Sequence, residues 1–197
     1  TGLVGARSPS RTGSVIVPSR QPWLWLVLGL FLALALAYMV VVPPFEGFDV
    51  QAHYAAVNYY RSHRALPTLG GDVLQVSYEL VQPPPLYYVL SAAAAARLPI
   101  DSARDHAERS RNAYFGTDVT YRQSIRLPAT RVEDVAPATI ARLVSLVGGL
   151  LVLLCTWWTA RLIVPGRPGF AAAASAVAAL NPVLLFQSVT VTNDAWA

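Results

Sequence analysis

The feature that most constrains this chain is the run WLWLVLGLFLALALAYMVVV, Trp23 to Val42, which contains no charged residue. At a rise of about 1.5 Å per residue, a helix of this length matches a hydrocarbon core about 30 Å thick. Trp23 and Trp25 stand at one end of the run, where interfacial anchors are found. A cleaved signal peptide is the competing interpretation, but its apolar region usually has about 7–15 residues. The run therefore predicts an uncleaved transmembrane helix over residues 23–42.

Composition supports a membrane protein. Hydrophobic residues make up 54% of the chain and charged residues 13%, whereas an ordinary soluble domain carries about 25% charge. The net charge is only +4, and no basic stripe is interleaved with aromatic residues, so nucleic acid is excluded as a partner. The single cysteine, Cys155, excludes an intrachain disulfide and Cys-pair metal sites. Membrane lipids are the partner that this composition predicts.

Two further apolar segments predict the rest of the architecture. Residues 138–164 read as a second span, and residues 170–191 as a third span with a kink at Asn181-Pro182. The chain is therefore predicted to be an all-α integral membrane protein with three transmembrane helices. The other segments are a disordered tail (residues 1–22), a long first loop with two short juxtamembrane helices (residues 43–137), and the start of a further loop (residues 192–197).

The distribution of arginine predicts the orientation. If three spans alternate, five arginines near the span ends fall on one side, which is then cytoplasmic. They are Arg7, Arg11, Arg20, Arg161 and Arg167. The first loop also carries arginines, but a loop longer than about 60 residues crosses largely regardless of charge. The N-terminus is thus predicted to be cytoplasmic and residues 43–137 extracytoplasmic.

The stretch PPFEGFDVQAHY, Pro43 to Tyr54, carries the first candidate chemistry. Asp49 and His53 are spaced i,i+4 and share one helix face. A carboxylate just outside a bilayer can act as a general base, and the histidine can orient it or bind a phosphate. Arg61, further along the same helix, can neutralise a leaving phosphate. The alternative is that Asp49 is an N-cap and His53 a solvated surface residue, and spacing alone favours this alternative.

Two other segments leave their roles open on spacing alone. Gln82 to Tyr88, QPPPLYY, is either a stiff approach to a helix or a segment whose Tyr87 and Tyr88 line a sugar or lipid site. Asn193 and Asp194 end the third predicted span. They are either a solvated terminus or, if they face the helix bundle, functional residues.

Taken in order, these segments resemble the start of the GT-C membrane glycosyltransferases. The order is a first span, PPFEGFDVQAHY, QPPPLYY, a span that opens with an arginine, and NPVLLFQSVTVTND. The resemblance is greatest to bacterial members related to protein O-mannosyltransferases and aminoarabinose lipid A transferases. It covers about residues 23–197, the N-terminal part of such a fold. Asp49 matches the family's catalytic aspartate, and His53 matches the histidine four positions on.

The resemblance implies transfer of a sugar from a polyprenyl-phosphate donor to an extracytoplasmic hydroxyl, with inversion, at a bacterial cytoplasmic membrane. Asp49 would be the general base, with His53 beside it. Arg142 is the preferred partner of the lipid phosphate and Arg61 the second choice, although snorkelling to headgroups is an equal interpretation of Arg142. The expected substrate-binding residues are Glu46, Arg61, Gln82, Tyr87, Arg142, Asn193 and Asp194.

The cofactor stays open, because members of this family differ in whether they use a divalent metal. Asp49 and His53 supply only two ligands, too few to predict a metal site.

The family commonly has glutamate after its catalytic aspartate, whereas this chain has Val50. Glu46 is the candidate substitute. That departure, and the end of the chain at Ala197, favour an alternative hypothesis: a non-catalytic accessory or scaffold subunit of a larger membrane complex. The end of the sequence at Ala197, without a polar tail, predicts that these residues are the beginning of a longer protein.

Overall fold

The computed structural model describes residues 21–45, 47, 49–67, 85–98, 100 and 132–196. Across these ranges the chain is helical and contains no strand. The helices are α1 (Pro22–Val41), α2 (Val50–His63), α3 (Leu86–Ala94), α4 (Val132–Ile163), α5 (Pro168–Ala179), α6 (Pro182–Gln187) and a 3-10 helix (Asp194–Trp196). Glu46, Gln82 and nearly all of the predicted tail lie outside the described residues.

Two of these helices are long and apolar enough to cross a membrane, Pro22–Val41 and Val135–Ile163. They correspond to the first two predicted spans. Both leave large apolar side chains exposed, which is unusual for a soluble monomer and fits contact with lipid. The most exposed of these side chains are Trp25, Leu26, Val40, Val41, Trp158, Leu162 and Ile163. The all-helical class and a membrane association therefore agree with the sequence prediction.

The segment predicted as a third span is a broken helix. α5 has 12 residues, fewer than the ~20 that cross a bilayer, and α6 begins after an interruption at Leu180 and Asn181. The Asn181 side chain accepts hydrogen bonds from the backbone N–H of Val183 (2.9 Å) and Leu184 (3.4 Å). This capping, together with a proline at the first position of α6, starts a new helix at the pair where a kink is predicted. A third span remains a prediction.

The long helices form a bundle with alternating directions. Leu24, near the start of α1, shares a buried cluster with Trp157 and with Ala171 of α5. Further along α1, Phe31 shares a cluster with Leu153 and with other residues of α4 to α6. Residue numbers thus rise along α1 and α5 where they fall along α4, so α4 is antiparallel to the other two. The end at which α1 finishes, α4 begins and the 3-10 helix follows α6 is called the site end below.

The two short helices α2 and α3 cover the site end. Their buried side chains include Val50, Tyr54, Tyr87 and Tyr88, which share one cluster with Ala138, Ala141 and Val191. The Tyr87 hydroxyl donates to the carbonyl oxygen of Ala141 over 3.3 Å. Burial raises the pKa of Tyr87 to about 12. This packing holds both short helices against α4 and against the segment that follows α6.

Candidate functional site

Asp49 begins α2 in an uncommon backbone conformation. Its φ of 55° lies in the left-handed region, which aspartate tolerates better than most residues but still at a cost of about 1–2 kcal/mol. Its carbonyl oxygen accepts the backbone N–H of His53 (2.9 Å), yet its side chain makes no capping hydrogen bond. Asp49 therefore occupies the N-cap position without capping the helix through its carboxylate, and that group is left for other interactions.

His53, one turn further, is half-buried against α3. Its Nδ1 and the phenol oxygen of Tyr88 are joined by a hydrogen bond of 2.8 Å, and the two rings are stacked with centroids 6.0 Å apart. Tyr88 also stacks with Tyr60, two turns along α2, at 5.9 Å and an interplanar angle of 4°. These contacts hold the imidazole in one orientation. His53 is thus not the solvated surface residue of the alternative hypothesis.

Burial and the neighbouring charges shift the pKa of His53 in opposite directions. Burial lowers its pKa from the ordinary value of 6.5, and the negative charges of Asp194 and then Asp49 partly oppose that shift. Burial also raises the pKa of Tyr88, with further contributions from neighbouring tyrosines and Asp194. At neutral pH the histidine is therefore mainly neutral and the phenol protonated. The site combines a neutral imidazole with two carboxylates.

Asp194 reaches this site from the far end of the chain. It opens the 3-10 helix, its side chain is exposed, and its Oδ2 accepts a hydrogen bond from Nε2 of Gln187 over 3.1 Å. Its backbone N–H is bonded to the Thr192 hydroxyl at 3.3 Å. The negative charge of Asp194 acts on His53, as that of Asp49 does, although Asp194 lies 141 positions after His53 in sequence.

Arg142, expected to meet a lipid phosphate, is engaged by the backbone. Its side chain is only 2% exposed. Its Nε–H donates to the carbonyl oxygen of Val189, and Nη2 donates to that of Val42 over 3.0 Å. One guanidinium thus connects α4 to the end of α1 and to the segment after α6. A buried carbonyl without a partner is costly, so these hydrogen bonds give Arg142 a structural role at the site end.

Arg61 lies away from Asp49. It is twelve positions further along α2, which corresponds to about 18 Å of helix. Its Nη1 donates to the side-chain oxygen of Asn58 (2.8 Å) and its Nη2 to the carbonyl of Leu98 (2.5 Å). The bond to Leu98 connects the end of α2 to the segment that follows α3.

The two remaining expected residues within the described ranges are buried. Asn193 is 9% exposed, and its carbonyl oxygen accepts the backbone N–H of Trp196 at 2.8 Å, which closes the 3-10 helix. Tyr87 is fully buried, and its neighbour Tyr88 is the tyrosine that contacts His53. Among the residues that the structure describes, no group of three or more His, Cys, Asp or Glu side chains is placed to hold a metal ion.

Sequence reasoning missed Gln187 as a member of the site and did not separate Tyr88 from Tyr87. Consecutive helical residues point about 100° apart, so Tyr87 and Tyr88 meet different partners, and the sequence does not say which of them contacts His53. Gln187 lies within the NPVLLFQSVTVTND segment, but its contact with Asp194 depends on the turn between them.

An apolar groove of about 610 Å³ runs beside the site, along α4 and α5. Trp196 and Gly148 lie at its end nearest the site, and Ile163 and Phe170 at the other. Along α4 the groove extends from Gly148 to Ile163, which corresponds to about 22 Å of helix.

Comparison with known proteins identifies no relative: no protein-family model, no curated protein and no solved structure matches this chain.

Proposed function

We propose that this chain is a membrane glycosyltransferase that moves a sugar from a polyprenyl-phosphate donor to an extracytoplasmic acceptor hydroxyl, with Asp49 as general base. The observation that carries the proposal is the state of the Asp49 carboxylate. Asp49 lies at the start of α2, and its side chain makes no capping hydrogen bond. Its negative charge acts on the pKa of His53. A carboxylate in this setting can accept a proton from a bound hydroxyl.

The reaction follows from this placement. The acceptor O–H gives its proton to Asp49 while its oxygen attacks the anomeric carbon of the donor sugar. The bond between that carbon and the phosphate oxygen breaks, and the polyprenyl phosphate leaves with the electron pair. His53 keeps the base oriented, and Asp194 and Gln187 bind sugar or acceptor hydroxyls. Asp49 would be extracytoplasmic, at the membrane boundary, where the phosphate of a lipid-anchored donor lies.

The neutral state of His53 supports a binding role near carboxylates. A neutral imidazole held by Tyr88 presents its other nitrogen to a hydrogen-bonding partner. A neutral imidazole does not form a strong ion pair with Asp49. Such an ion pair would weaken Asp49 as a base.

Glu46 and Gln82 belong to the same proposal as substrate-binding residues. Arg142 and Arg61 remain candidates for the phosphate, Arg142 through the N–H groups that it does not direct to Val189 and Val42.

The test is Asp49→Asn in isolated membranes supplied with a labelled polyprenyl-phosphate sugar, followed as release of polyprenyl phosphate. Asparagine also tolerates the left-handed conformation, so the backbone of α2 is preserved while the base is removed. A general base is worth about 10²–10⁴-fold in rate, and we expect a loss in this range. Thermal unfolding of the variant controls for damage to the fold. Turnover equal to that of the wild type would remove Asp49 from the mechanism.

The alternative function is that of a non-catalytic subunit of a larger membrane complex. The apolar groove along α4 and α5 favours it, because small residues such as Thr159 and Ala174 allow a helix of a partner subunit to approach closely. Extraction in mild detergent and native mass measurement distinguish the two functions. A stable complex with other subunits, together with no effect of Asp49→Asn on any transfer, would support the subunit.

A further inference from the structure

The segment from Ser188 to Trp196 carries Asp194 and is held on one face of α4. The Ser145 hydroxyl donates to the carbonyl oxygen of Thr192 (3.1 Å), and Arg142 donates to that of Val189. In the other direction, Nε1 of Trp196 donates to the carbonyl oxygen of Val144 (3.0 Å). The segment has no regular helix between Gln187 and Asp194. Side chains of α4 therefore donate hydrogen bonds to carbonyl groups of the segment that have no helical partner.

Two glycines of α4 make this close contact possible. A Cβ atom added at Gly148 would lie 2.7 Å from Nε1 of Trp196 and 2.9 Å from the backbone oxygen of Ala195. A Cβ atom added at Gly149 would lie 2.1 Å from Oγ and 2.8 Å from Cβ of Ser188. A hydroxyl can rotate away, but a backbone oxygen and a Cβ atom cannot move without the chain. Any side chain at these positions must therefore displace the segment.

We propose that Gly148 and Gly149 are positioning residues for the candidate site, because their missing side chains let the segment seat on α4 and so fix where Asp194 stands relative to His53. Neither glycine is among the residues of the site. Gly148 contacts Ala195 and Trp196, which directly follow Asp194, whereas Gly149 contacts Ser188 at the start of the segment. A change at Gly148 therefore acts on Asp194 most directly.

The consequence for catalysis rests on the proposed function, but the placement itself is measurable without turnover. The charges that act on His53 come from Asp194 and Asp49, and Tyr88 is its hydrogen-bonding partner. When the segment moves away from α4, the negative charge of Asp194 moves as well. The titration of His53 then reports where Asp194 stands.

The experiment compares Gly148→Ala with Gly29→Ala in the full chain in detergent, by NMR titration of His53. Gly29 is the matched control, since a Cβ atom there meets nothing within 4 Å and both changes replace glycine by alanine inside a long helix. In Gly148→Ala we expect a lower pKa of His53 than in the wild type, because an attracting charge has withdrawn. In Gly29→Ala we expect no change. A His53 titration that is the same in both variants would overturn the proposal.

A second pair keeps the test informative if Gly148→Ala does not fold. Gly149→Ala alone should lower the midpoint of thermal unfolding and alter the His53 titration. Adding Ser188→Gly removes both Ser188 atoms that the new methyl group meets, while the ring edge of Phe31, 3.0 Å from the added Cβ atom, stays in place. We therefore expect the double variant to recover toward the wild type in the His53 titration, and only in part in the thermal midpoint, because the hydrogen bond from the Ser188 hydroxyl to Leu184 is lost as well. Failure to recover would overturn the proposed contact. Unchanged turnover in Asp49→Asn would instead overturn the enzyme proposal and leave this one standing.

Discussion

Nδ1 of His53 and the phenol oxygen of Tyr88 lie 2.8 Å apart, and their rings are stacked at an interplanar angle of 16°. This pair connects α2 to α3 across 35 residues of sequence. Because Tyr88 is fully buried, it provides a fixed partner to the half-buried imidazole. The orientation of the imidazole therefore depends on how α3 packs beneath α2.

Replacing Tyr88 by phenylalanine should remove this hydrogen bond and keep the ring. We expect the phenol to donate to Nδ1, because burial raises the pKa of Tyr88 and lowers that of His53. Only the neutral ring can accept that bond, so its loss should raise the pKa of His53 toward the ordinary value. A buried hydrogen bond contributes about 1 kcal/mol, and the free energy of unfolding should fall by this amount. NMR titration and denaturant unfolding measure the two effects.

Tyr60→Phe is the matched control, since Tyr60 also stacks with Tyr88 but its hydroxyl is not the group bonded to His53. The pKa of His53 should stay near the wild-type value in this variant. If Tyr88→Phe left the pKa of His53 unchanged or lowered it further, the phenol would not be the donor.

Arg142→Lys should separate the two interpretations of this arginine. A lysine keeps the positive charge but cannot reproduce the planar fork that reaches the carbonyls of Val189 and Val42. Leaving a buried carbonyl unpaired costs about 1–3 kcal/mol, so we expect the thermal midpoint to fall clearly. Arg161→Lys, near the other end of α4, is the control and should have little effect. A variant with unchanged stability and reduced turnover would point to a phosphate role alone.

The sequence allowed the helical class and the two long spans to be predicted because apolar length is a local property. The run over residues 23–42 corresponds to Pro22–Val41, and the second prediction, residues 138–164, lies within Val132–Ile163 except for its last residue. The break at Asn181-Pro182 was also foreseeable, since proline cannot continue a helix that needs its N–H.

The composition of the site was only partly accessible from sequence. The i,i+4 spacing placed Asp49 and His53 on one helix face, but spacing alone favoured Asp49 as an N-cap rather than as a general base. The left-handed φ of Asp49 has no signature in the residues around it. The approach of Asp194 depends on how the segment after α6 lies on α4, which is a tertiary contact. Glycine pairs such as Gly148-Gly149 signal a close approach in general but do not name the partner.

The left-handed conformation of Asp49 predicts an unusual order of stabilities. At a φ of 55° an alanine is strained by about 1 kcal/mol or more, whereas glycine is not. Asp49→Gly should therefore be more stable than Asp49→Ala by about 1 kcal/mol, as measured by denaturant unfolding.

The control for this order is Ala55→Gly in the middle of α2, where the conformation is regular. There glycine should be less stable than alanine by about 1 kcal/mol. Equal stability of Asp49→Gly and Asp49→Ala would contradict the backbone conformation at the start of α2.

Because of His53, the folded chain should lose stability as the pH is lowered below about 6.5. Its pKa in the folded chain lies below the ordinary value of 6.5, chiefly through burial. As the pH drops through 6.5, the unfolded chain takes up a proton that the folded chain does not, and unfolding becomes more favourable. The loss continues until the pH reaches the lowered pKa, below which both states are protonated.

Thermal midpoints measured from pH 8 to pH 5 test this loss of stability directly. His53→Gln, which cannot titrate, should show a flatter profile over the same range. A wild-type profile no steeper than that of His53→Gln would mean that His53 is solvated in the folded chain, and the orientation given to it by Tyr88 would then have no energetic consequence.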